Sequence, residues 1–241
     1  AEMIKYASNS LLATLISFSN EIGNLSAAIG EIDALDVMRG VHLDKRVSPI
    51  LENSERVMPA ITSYLEAGCG FGGSCFPKDI KALISHGEGV NQSMSLLKAV
   101  IDINRAQPQE VLDRLNKHYP SVQGLKVAVL GLAFKPGTDD MRESPAIPIV
   151  NWLVANKVVV RAYDPIAEEQ AKLTFSGADI TYCHSLDDAL EAADAVLLLT
   201  RWPEFKDLPV AIDRLGIDPL VVDGRRMLPK AAFRRYEGIG I

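Results

Sequence analysis

The chain has 241 residues, of which 48% are hydrophobic and 23% are charged, and its formal net charge is −6. This composition is typical of a globular protein with one large or two modest domains, and it excludes a disordered chain. The acidic balance and the lack of basic runs argue against nucleic acid or an anionic membrane as a partner. No apolar run reaches the roughly 20 residues that a membrane-spanning helix needs. Three cysteines cannot form a closed disulfide framework, so we expect the reducing cytoplasm.

Residues 2 to about 30 are predicted to form one long amphipathic helix. Its large apolar residues recur at alternating steps of four and three and share one stripe: Leu11, Leu15, Phe18, Ile22, Leu25 and Ile29. Such a stripe must be buried against another helix or a partner subunit, and we expect a homodimer through this helix. Because the chain opens inside the predicted helix, we also expect it to be a piece of a longer protein.

A change of pattern follows the first helix. Residues 40–79 are rich in Gly, Pro and Ser and have no sustained period. A second helix is predicted over about 93–118, with a kink or break near Gln107 because Pro108 lies inside it. The Tyr-Pro-Ser stretch at 119–121 is typical of a linker and predicts two domains, 1–120 and 121–241.

The second half alternates short apolar runs with helical segments. The four runs, each typical of a parallel strand buried on both faces, are 127–130, 158–160, 195–199 and 220–222. Ser144 and Pro145 predict a helix start, with Ser144 as the cap and Pro145 at the first helical position. The fold class is therefore α/β: an all-helical dimerisation domain, then a doubly wound parallel sheet that binds ligands beyond the carboxyl ends of its strands.

The segment with the clearest chemistry is the loop GCGFGGSCFPKD at 68–79. Four glycines within six positions allow backbone conformations and close approaches that other residues forbid. Cys75 ends the glycine run beside Lys78 and Asp79, and a cationic neighbour lowers a thiol pKa, producing the nucleophilic thiolate. A buried structural cysteine is the alternative interpretation. The glycines, the lysine and the aspartate favour the reactive one.

The other two cysteines lack this setting. Cys69 is predicted to be structural, and Cys183 lies in a predicted strand and is expected to be inert. Cys69 and Cys75 do not form a Cys-x-x-Cys pair, and the four histidines are scattered. No metal site is therefore predicted.

Four segments carry a resemblance to a known family. GFGGSCFPKD at 70–79 is similar to a catalytic-cysteine motif, and AEMIKYASN at 1–9 resembles the start of a central helix. GLAFKPGTDDMRESP at 131–145 and VDGRR at 222–226 resemble segments of a carboxyl-terminal domain. All four resemble the UDP-glucose/GDP-mannose dehydrogenase family, over essentially the whole chain. The resemblance implies a helical dimerisation domain followed by a Rossmann-like domain that binds a UDP-sugar.

Members of that family begin with a separate Rossmann domain that carries a glycine-rich fingerprint for NAD. In this chain no Gly-x-Gly-x-x-Gly follows a strand and opens a helix, and the candidate at 131–133 fails the pattern. The resemblance therefore implies an NAD-dependent enzyme whose cofactor is bound mainly by a domain outside this chain. We expect the chain alone to bind the sugar nucleotide without oxidising it.

The family reaction is a two-step oxidation of a sugar C6 alcohol to a carboxylate with two NAD. By resemblance, Cys75 is the nucleophile. Its sulfur forms a thiohemiacetal with the sugar aldehyde, the thiohemiacetal is oxidised to a thioester, and water then hydrolyses the thioester to release the product. Lys5 and Asn9, which share a helix face, match the pair that stabilises the oxyanion. Asp79 matches the carboxylate that positions or activates water, with Lys5 as its partner in proton transfer. Without the resemblance, an exposed polar helix face would be the simpler interpretation of Lys5 and Asn9.

The resemblance also assigns residues to the substrate. Those that match the nucleotide-sugar pocket or reach into it are Tyr64, Phe71, Gly72, Lys78, Lys135 and Arg225. Lys and Arg suit a diphosphate, and a solvated lysine is the alternative for Lys78. Arg142 matches a position that contacts NAD on the other domain, with Arg226 as the alternative contact. Asn20 lies on nearly the same helix face as Asn9, and Asp164 is interpreted as a helix cap rather than a ribose-binding acid.

Two further expectations, the role of Arg46 and the identity of the sugar nucleotide, depend on where this sequence differs from other members of the family. Arg46 resembles an arginine that family dimers insert into the partner's pocket, although 48–61 looks like an insertion after it. Phe76 favours the UDP-glucose branch over GDP-mannose, and Ser74 argues against a UDP-N-acetylhexosamine. The alternative from another class is a non-catalytic module that binds sugar nucleotides and dimerises. The intact set of Cys75, Lys5, Asn9 and Asp79 favours catalysis in the parent protein.

Overall fold

A computed structural model describes residues 2–241. The helices are α1 (Glu2–Ile29), α2 (Ala34–His42), α3 (Phe76–Gly89), α4 (Ser95–His118), α5 (Ala146–Ala155), α6 (Glu168–Thr174), α7 (Leu186–Leu190) and α8 (Leu208–Leu215). The strands are β1 (Lys126–Leu130), β2 (Val159–Tyr163), β3 (Ile180–Tyr182), β4 (Ala195–Leu198), β5 (Leu220–Asp223) and β6 (Tyr236–Gly238). Among these residues, no helix has both the length and the apolar character needed to cross a bilayer.

Helix α1 confirms the long helix predicted from the sequence, and its two faces differ in kind. The face that packs against α3 and α4 consists of small or polar residues: Ser10, Ala13, Ser17, Ser19, Asn20, Gly23 and Ser26. Four residues of the large apolar stripe, Leu11, Phe18, Leu25 and Ile29, are between 47 and 62% exposed, and its other two members, Leu15 and Ile22, are half-buried. Small side chains let neighbouring helices approach closely. Because α1 uses its small and polar face for this packing, most of its apolar stripe is left uncovered by the rest of the chain.

Helix α4 runs unbroken from Ser95 to His118 with Pro108 inside it, so the predicted break near Gln107 is wrong. Tertiary contacts hold the helix on the amino-terminal side of the proline. The Asn104 side chain donates to the carbonyl of Phe71 (2.9 Å) and accepts from its N–H (2.8 Å), and Gln107 Nε2 donates to the carbonyl of Gly68 (2.9 Å). These bonds to the glycine-rich loop offset the hydrogen bond that proline removes.

The six strands form one parallel sheet in the order β3-β2-β1-β4-β5-β6. The four predicted runs are its central strands, with β2 extending further than predicted, to Tyr163. The predicted strand at Cys183 corresponds to the edge strand β3, which ends one residue before that cysteine, whereas the other edge strand, β6, is not predicted from the sequence. Alternate residues of each central strand face opposite layers. Val127 and Leu197 face α4, α5 and α6, whereas Ala128 and Val196 face α7 and α8. The fold class is the expected doubly wound α/β sheet preceded by helices.

Helix α5 begins at Ala146, one residue later than predicted, although Pro145 already has helical dihedral angles (φ −57°, ψ −21°). The predicted capping role of Ser144 is confirmed by its side-chain bonds. The Ser144 hydroxyl is buried, donates to the carbonyl of Leu132 (2.7 Å) and accepts from the N–H of Ala146 (3.2 Å). Ser144 therefore ties the loop after β1 to the start of α5.

The carboxyl-terminal residues join the sheet to the helices. The carbonyl of Gly240 accepts from the N–H of Ala34 at 2.9 Å, where α2 begins. Arg226 is almost fully buried and donates to Asp33 (2.7 Å) and to the carbonyl of Ile239 (2.9 Å). The Arg226 guanidinium is thus committed to this joint, and its alternative role as a cofactor contact stays a prediction.

Gly23 and Gly40 both lie in helices, but only Gly23 is closely packed, so replacing each by alanine distinguishes the effect of packing from that of helix propensity. A Cβ at Gly23 in α1 would lie 2.5 Å from the Cβ of Ala67, whereas one at Gly40 in α2 would meet no described atom within 4 Å. We predict that Gly23→Ala lowers the free energy of unfolding by about 1–3 kcal/mol through overpacking. Gly40→Ala should raise it by up to about 1 kcal/mol through helix propensity. Urea denaturation of both variants tests this, and a stabilised Gly23→Ala would contradict the contact.

Candidate functional site

A cavity of about 620 Å³ lies between the helices and the carboxyl ends of the sheet strands. Three adjacent central strands lead to it: the segment after β1 contributes Lys135, the one after β4 contributes Arg201, and the one after β5 contributes Arg225. The glycine-rich loop and Asn20 of α1 form the opposite wall. The cavity thus lies where doubly wound sheets bind ligands.

The glycine-rich loop presses against the segment that follows β1. A Cβ at Gly72 would lie 2.3 Å from the carbonyl oxygen of Glu143, and one at Gly73 would lie 2.7 Å from the Phe134 ring. Gly73 has a φ of +84° and donates its N–H to the carbonyl of Arg142 (2.7 Å). Side chains cannot occupy these two positions, which explains the glycines. The contact places Cys75, exposed and immediately before α3, in the cavity wall.

Asp79 is a fully buried carboxylate in the first turn of α3. The Lys78 ammonium lies 2.9 Å from its Oδ1, and Asn9 Nδ2 donates to its Oδ2 at 2.7 Å. Lys78 and then Asn9 hold the pKa of Asp79 below its usual value, while burial acts in the opposite direction and Lys5 makes a smaller electrostatic contribution. The structure therefore brings Asn9 into contact with Asp79, which lies one helical turn after Cys75, and places Lys5 near enough for its charge to act on Asp79.

Lys78 lies outside the walls of the cavity. Its ammonium pairs with Asp79 and lies 5.6 Å from the centre of the Tyr6 ring. The side chain is therefore engaged in holding Asp79 ionised, rather than directed at a phosphate. This differs from its predicted place among the substrate-binding residues.

Two cavity residues hold hydrogen-bond donors that have no partner among residues 2–241. Arg225 donates through Nε to the carbonyl of Leu199 (2.6 Å) and through Nη1 to that of Gly70 (2.8 Å), but its Nη2 is buried and unpaired. Asn20 accepts from the N–H of Gly68 (2.9 Å), and its Nδ2 is also buried and unpaired. A buried donor without a partner is costly, so a ligand rich in acceptor oxygens fits here.

The other predicted substrate residues divide into two groups. Tyr64, Phe71, Gly72 and Lys135 all line the cavity, with Tyr64 exposed at its mouth and Phe71 buried. Arg46 lies away from it, 90% exposed, and pairs with Asp44 of the same chain. Its guanidinium faces solvent, as a residue that reaches a second subunit would.

The segment 48–61 after Arg46 is compact. Ile50 and Arg56 form an isolated antiparallel bridge, and the Arg56 guanidinium donates to the carbonyls of Leu43 (2.7 Å) and Ser48 (3.0 Å). Arg56 therefore holds this segment against the end of α2.

Arg142 also lies outside the cavity. Its guanidinium donates two hydrogen bonds, of 2.9 and 2.7 Å, to the Asp140 carboxylate, and most of the side chain is exposed. Among the described residues, no group of three or more His, Cys, Asp or Glu is placed to hold a metal ion.

Sequence reasoning missed Glu66 and Arg201, which meet in the cavity wall at 2.5 Å. They are 135 residues apart and belong to no recognisable motif, so no local signal marked them. The helical spacing of Asn20 from Asn9 predicts only that the two share nearly the same face, and it predicts neither the burial of Asn20 nor its bond to Gly68.

The turn after β1, where a dinucleotide phosphate binds in many sheets of this order, does not fit one here. The Asp164 carboxylate accepts from the N–H groups of Leu132 (2.8 Å) and Ala133 (3.0 Å) and from Trp202 Nε1 (3.1 Å). A buried carboxylate therefore takes the amides that would cradle a phosphate, and its charge would repel one. Asp164 also bonds two N–H groups before α6, so it ties three segments together instead of simply capping a helix.

Comparison with known proteins agrees with this geometry. The central-domain model of the UDP-glucose/GDP-mannose dehydrogenase family matches residues 1–106, and the family's UDP-binding-domain model matches residues 128–230. The chain belongs to this family. Its two matched segments are the ones that meet at the cavity.

Known members of the UDP-glucose/GDP-mannose dehydrogenase family are similar to this chain along nearly its whole length. The UDP-glucose 6-dehydrogenase YwqF of Bacillus subtilis is 43% identical over 93% of this chain and 48% of the relative. AglM of Haloferax volcanii, also named a UDP-glucose 6-dehydrogenase, is 40% identical over 99% of the chain and 51% of the relative. A UDP-glucose dehydrogenase structure from Pyrobaculum islandicum superposes with a TM-score of 0.83 at 36% identity, covering 99% of this chain and 50% of that one. The chain spans about half the length of the curated relatives it matches.

The three thiols differ in accessibility, and burial makes two of them less acidic than usual. Burial raises the pKa of Cys69 and raises that of Cys183 to about 11, whereas Cys75 is exposed. A thiol with a pKa of 11 is about one part in a thousand thiolate at pH 8. We predict that brief iodoacetamide treatment at pH 8 labels Cys75 first, as read by peptide mapping, with Cys75→Ser as the control. Equal labelling of Cys75 and Cys183 would contradict it.

Proposed function

We propose that the chain is the catalytic-cysteine and sugar-nucleotide part of an NAD-dependent UDP-glucose 6-dehydrogenase. The reaction is UDP-glucose + 2 NAD+ + water to UDP-glucuronate + 2 NADH + 3 H+. The observation that carries the proposal is one cavity with an exposed cysteine in its wall and two unpaired buried donors, Asn20 Nδ2 and Arg225 Nη2. We assign residues 1–120 to a helical domain and 121–241 to a UDP-sugar domain. Three unpaired thiols are consistent with the cytoplasm as its compartment.

The substrate would lie with its sugar toward Cys75 and its diphosphate between Lys135 and Arg225. A diphosphate supplies several acceptor oxygens, and Arg225 Nη2 and Asn20 Nδ2 are donors that still need acceptors. Tyr64 at the mouth and Phe71 in the wall add apolar contact surface. Charge-assisted bonds of this kind are about twice as strong as neutral ones, so the diphosphate dominates the binding energy.

In the chemistry, the Cys75 sulfur would add to the C6 aldehyde carbon, and the carbonyl electron pair would become an oxyanion. Lys5 and Asn9 would stabilise that oxyanion as donors fixed in advance. Asn9 is held by its bond to Asp79, whose low pKa keeps it ionised and able to orient the water that releases the later thioester. Two NAD molecules would each accept one hydride, and Arg142 is the residue of this chain assigned to contact NAD. The turn after β1 is not its binding site.

UDP-glucose is favoured over its neighbours in the family. Phe76 argues against GDP-mannose and Ser74 against a UDP-N-acetylhexosamine, and the similar curated relatives are named UDP-glucose 6-dehydrogenases. A non-catalytic binding module would have the same cavity. It would have no need for a buried, ionised Asp79 bonded to Asn9 next to an exposed cysteine.

The first test is ligand binding by this chain, measured by calorimetry with UDP-glucose, GDP-mannose and NAD. We predict that UDP-glucose binds most tightly. Lys135→Gln should weaken it about tenfold or more, because a hydrogen bond to a charged group is worth about 1.5–3 kcal/mol. The exposed Lys206→Gln is the matched control. Tighter binding of GDP-mannose would overturn the substrate, and binding of NAD alone would overturn the assignment of the cavity.

We also propose a homodimer through the exposed stripe of α1, with Arg46 reaching the partner's cavity. The stripe leaves Leu11 and Phe18 in solvent, where burial would stabilise a dimer by about 25 cal/mol per Å². We predict that sedimentation at micromolar concentration gives a dimer and that Leu11→Glu with Phe18→Glu gives a monomer. Leu173→Glu, on the equally exposed outer face of α6, should leave the dimer intact. A monomeric unaltered chain would contradict the proposal.

A further inference from the structure

Glu66 and Arg201 join the two walls of the cavity. Glu66 lies just before the glycine-rich loop, and Arg201 lies just after β4, at the carboxyl edge of the sheet. Arg201 Nη2 donates to Glu66 Oε2 at 2.5 Å, and each side chain is about one-third exposed. Neither residue has a part in the binding or the chemistry described above.

Arg201 has a second partner, the main chain of Arg225. Its Nε (3.0 Å) and its Nη2 (2.5 Å) both donate to the carbonyl oxygen of Arg225. One guanidinium therefore holds Glu66 of the helical half and the backbone of Arg225 of the sheet half together. The same carbonyl has no other donor within the described part of the chain.

The position of the Arg225 main chain matters because it determines where the Nη2 atom of the same residue lies. Its Nε and Nη1 are used on the carbonyls of Leu199 and Gly70, which leaves Nη2 as the donor available to a ligand. Short, directional bonds to phosphate oxygens require the donor to be held within about half an ångström. A shift of the Arg225 main chain would move Nη2 and break this alignment.

Glu66 also determines where the Arg201 charge goes. An unpaired guanidinium in this wall could turn toward an anionic ligand and leave the carbonyl of Arg225. The Glu66 carboxylate competes with the ligand for Arg201 and favours the orientation observed. We propose that Arg201 is a positioning residue for Arg225, and that Glu66 holds Arg201 in place. This inference rests on the proposed function for the identity of the ligand.

A double-mutant cycle tests the action through Arg225, with UDP-glucose binding measured by calorimetry. We expect Arg201→Gln to weaken binding about tenfold and Arg225→Gln about thirtyfold. The double variant should bind no more weakly than Arg225→Gln alone, because a positioning residue has no effect once the residue it positions is gone. Arg201→Gln combined with Lys135→Gln should instead multiply the two losses. If the loss of affinity in the Arg201→Gln, Arg225→Gln double variant also equals the product of the two single losses, the proposal is overturned.

Two further variants separate positioning from a simple bridge between the halves. Glu66→Gln should weaken binding a fewfold, and Arg201→Lys, which keeps the charge, should weaken it less than Arg201→Gln. The charge swap Glu66→Arg with Arg201→Glu restores an ion pair, but a carboxylate cannot donate to the carbonyl of Arg225. We expect it to recover thermal stability without recovering binding. Full recovery of binding by the swap would overturn the positioning role.

A readout without ligand keeps this inference separate from the proposed function. Phenylglyoxal modifies accessible arginines, and mass spectrometry of the intact chain's peptides reports its rate at Arg225. We expect Arg201→Gln to speed modification of Arg225 severalfold and Lys135→Gln to leave it unchanged. If the unaltered chain does not bind UDP-glucose, the proposed function fails while this rate still decides the positioning. An unchanged rate in Arg201→Gln would overturn it.

Discussion

The structure depends on one steric contact, the glycine-rich loop pressed onto the segment that follows β1. A side chain at Gly72 or Gly73 would collide with the Glu143 carbonyl or the Phe134 ring, so this approach is possible only for glycine. The contact fixes Cys75 relative to the sheet and closes one side of the cavity. It also makes the site a property of both halves of the chain, because neither the cysteine nor the cationic wall forms a pocket alone. The bonds from Asn104 to Phe71 add a second constraint from the helical side.

Helix α1 shows how one element serves two requirements. Its small and polar face gives close packing, and the same helix carries the half-buried Asn9 and the buried Asn20, each of which makes a specific bond to the 68–79 segment of the candidate site. The large apolar residues that would normally form a core lie on the opposite face and are exposed. A helix that buried its apolar stripe inside the chain could not also place these two amides beside the glycine-rich loop. The exposed stripe is thus a consequence of where the polar residues must go.

Patterns in the sequence predict most of the fold, because buried parallel strands and long amphipathic helices have periodicities that local sequence reveals. The failures have identifiable causes. The edge strand β6 is three residues long and too short for a pattern, and the equally short β3 ends one residue before Cys183, where a strand is expected. Pro108 predicted a break that contacts from Asn104 and Gln107 to a distant loop prevent. In the site, Cys75 and Asp79 belong to a contiguous motif and could be found, whereas the Glu66 and Arg201 pair arises only when residues 135 positions apart meet.

The sheet has the strand order of a dinucleotide-binding domain, yet its ligand-binding capacity lies elsewhere along the same edge. At the turn after β1, Asp164 takes the free amides and introduces a negative charge. At the ends of β4 and β5, two arginines supply positive charge, and one of them keeps a donor unpaired. These charges disfavour an anion at the first position and favour one at the second, where the proposed diphosphate would lie. Strand order alone sets only the edge at which a ligand binds, and the side chains that satisfy or free the backbone amides decide which part of that edge accepts it.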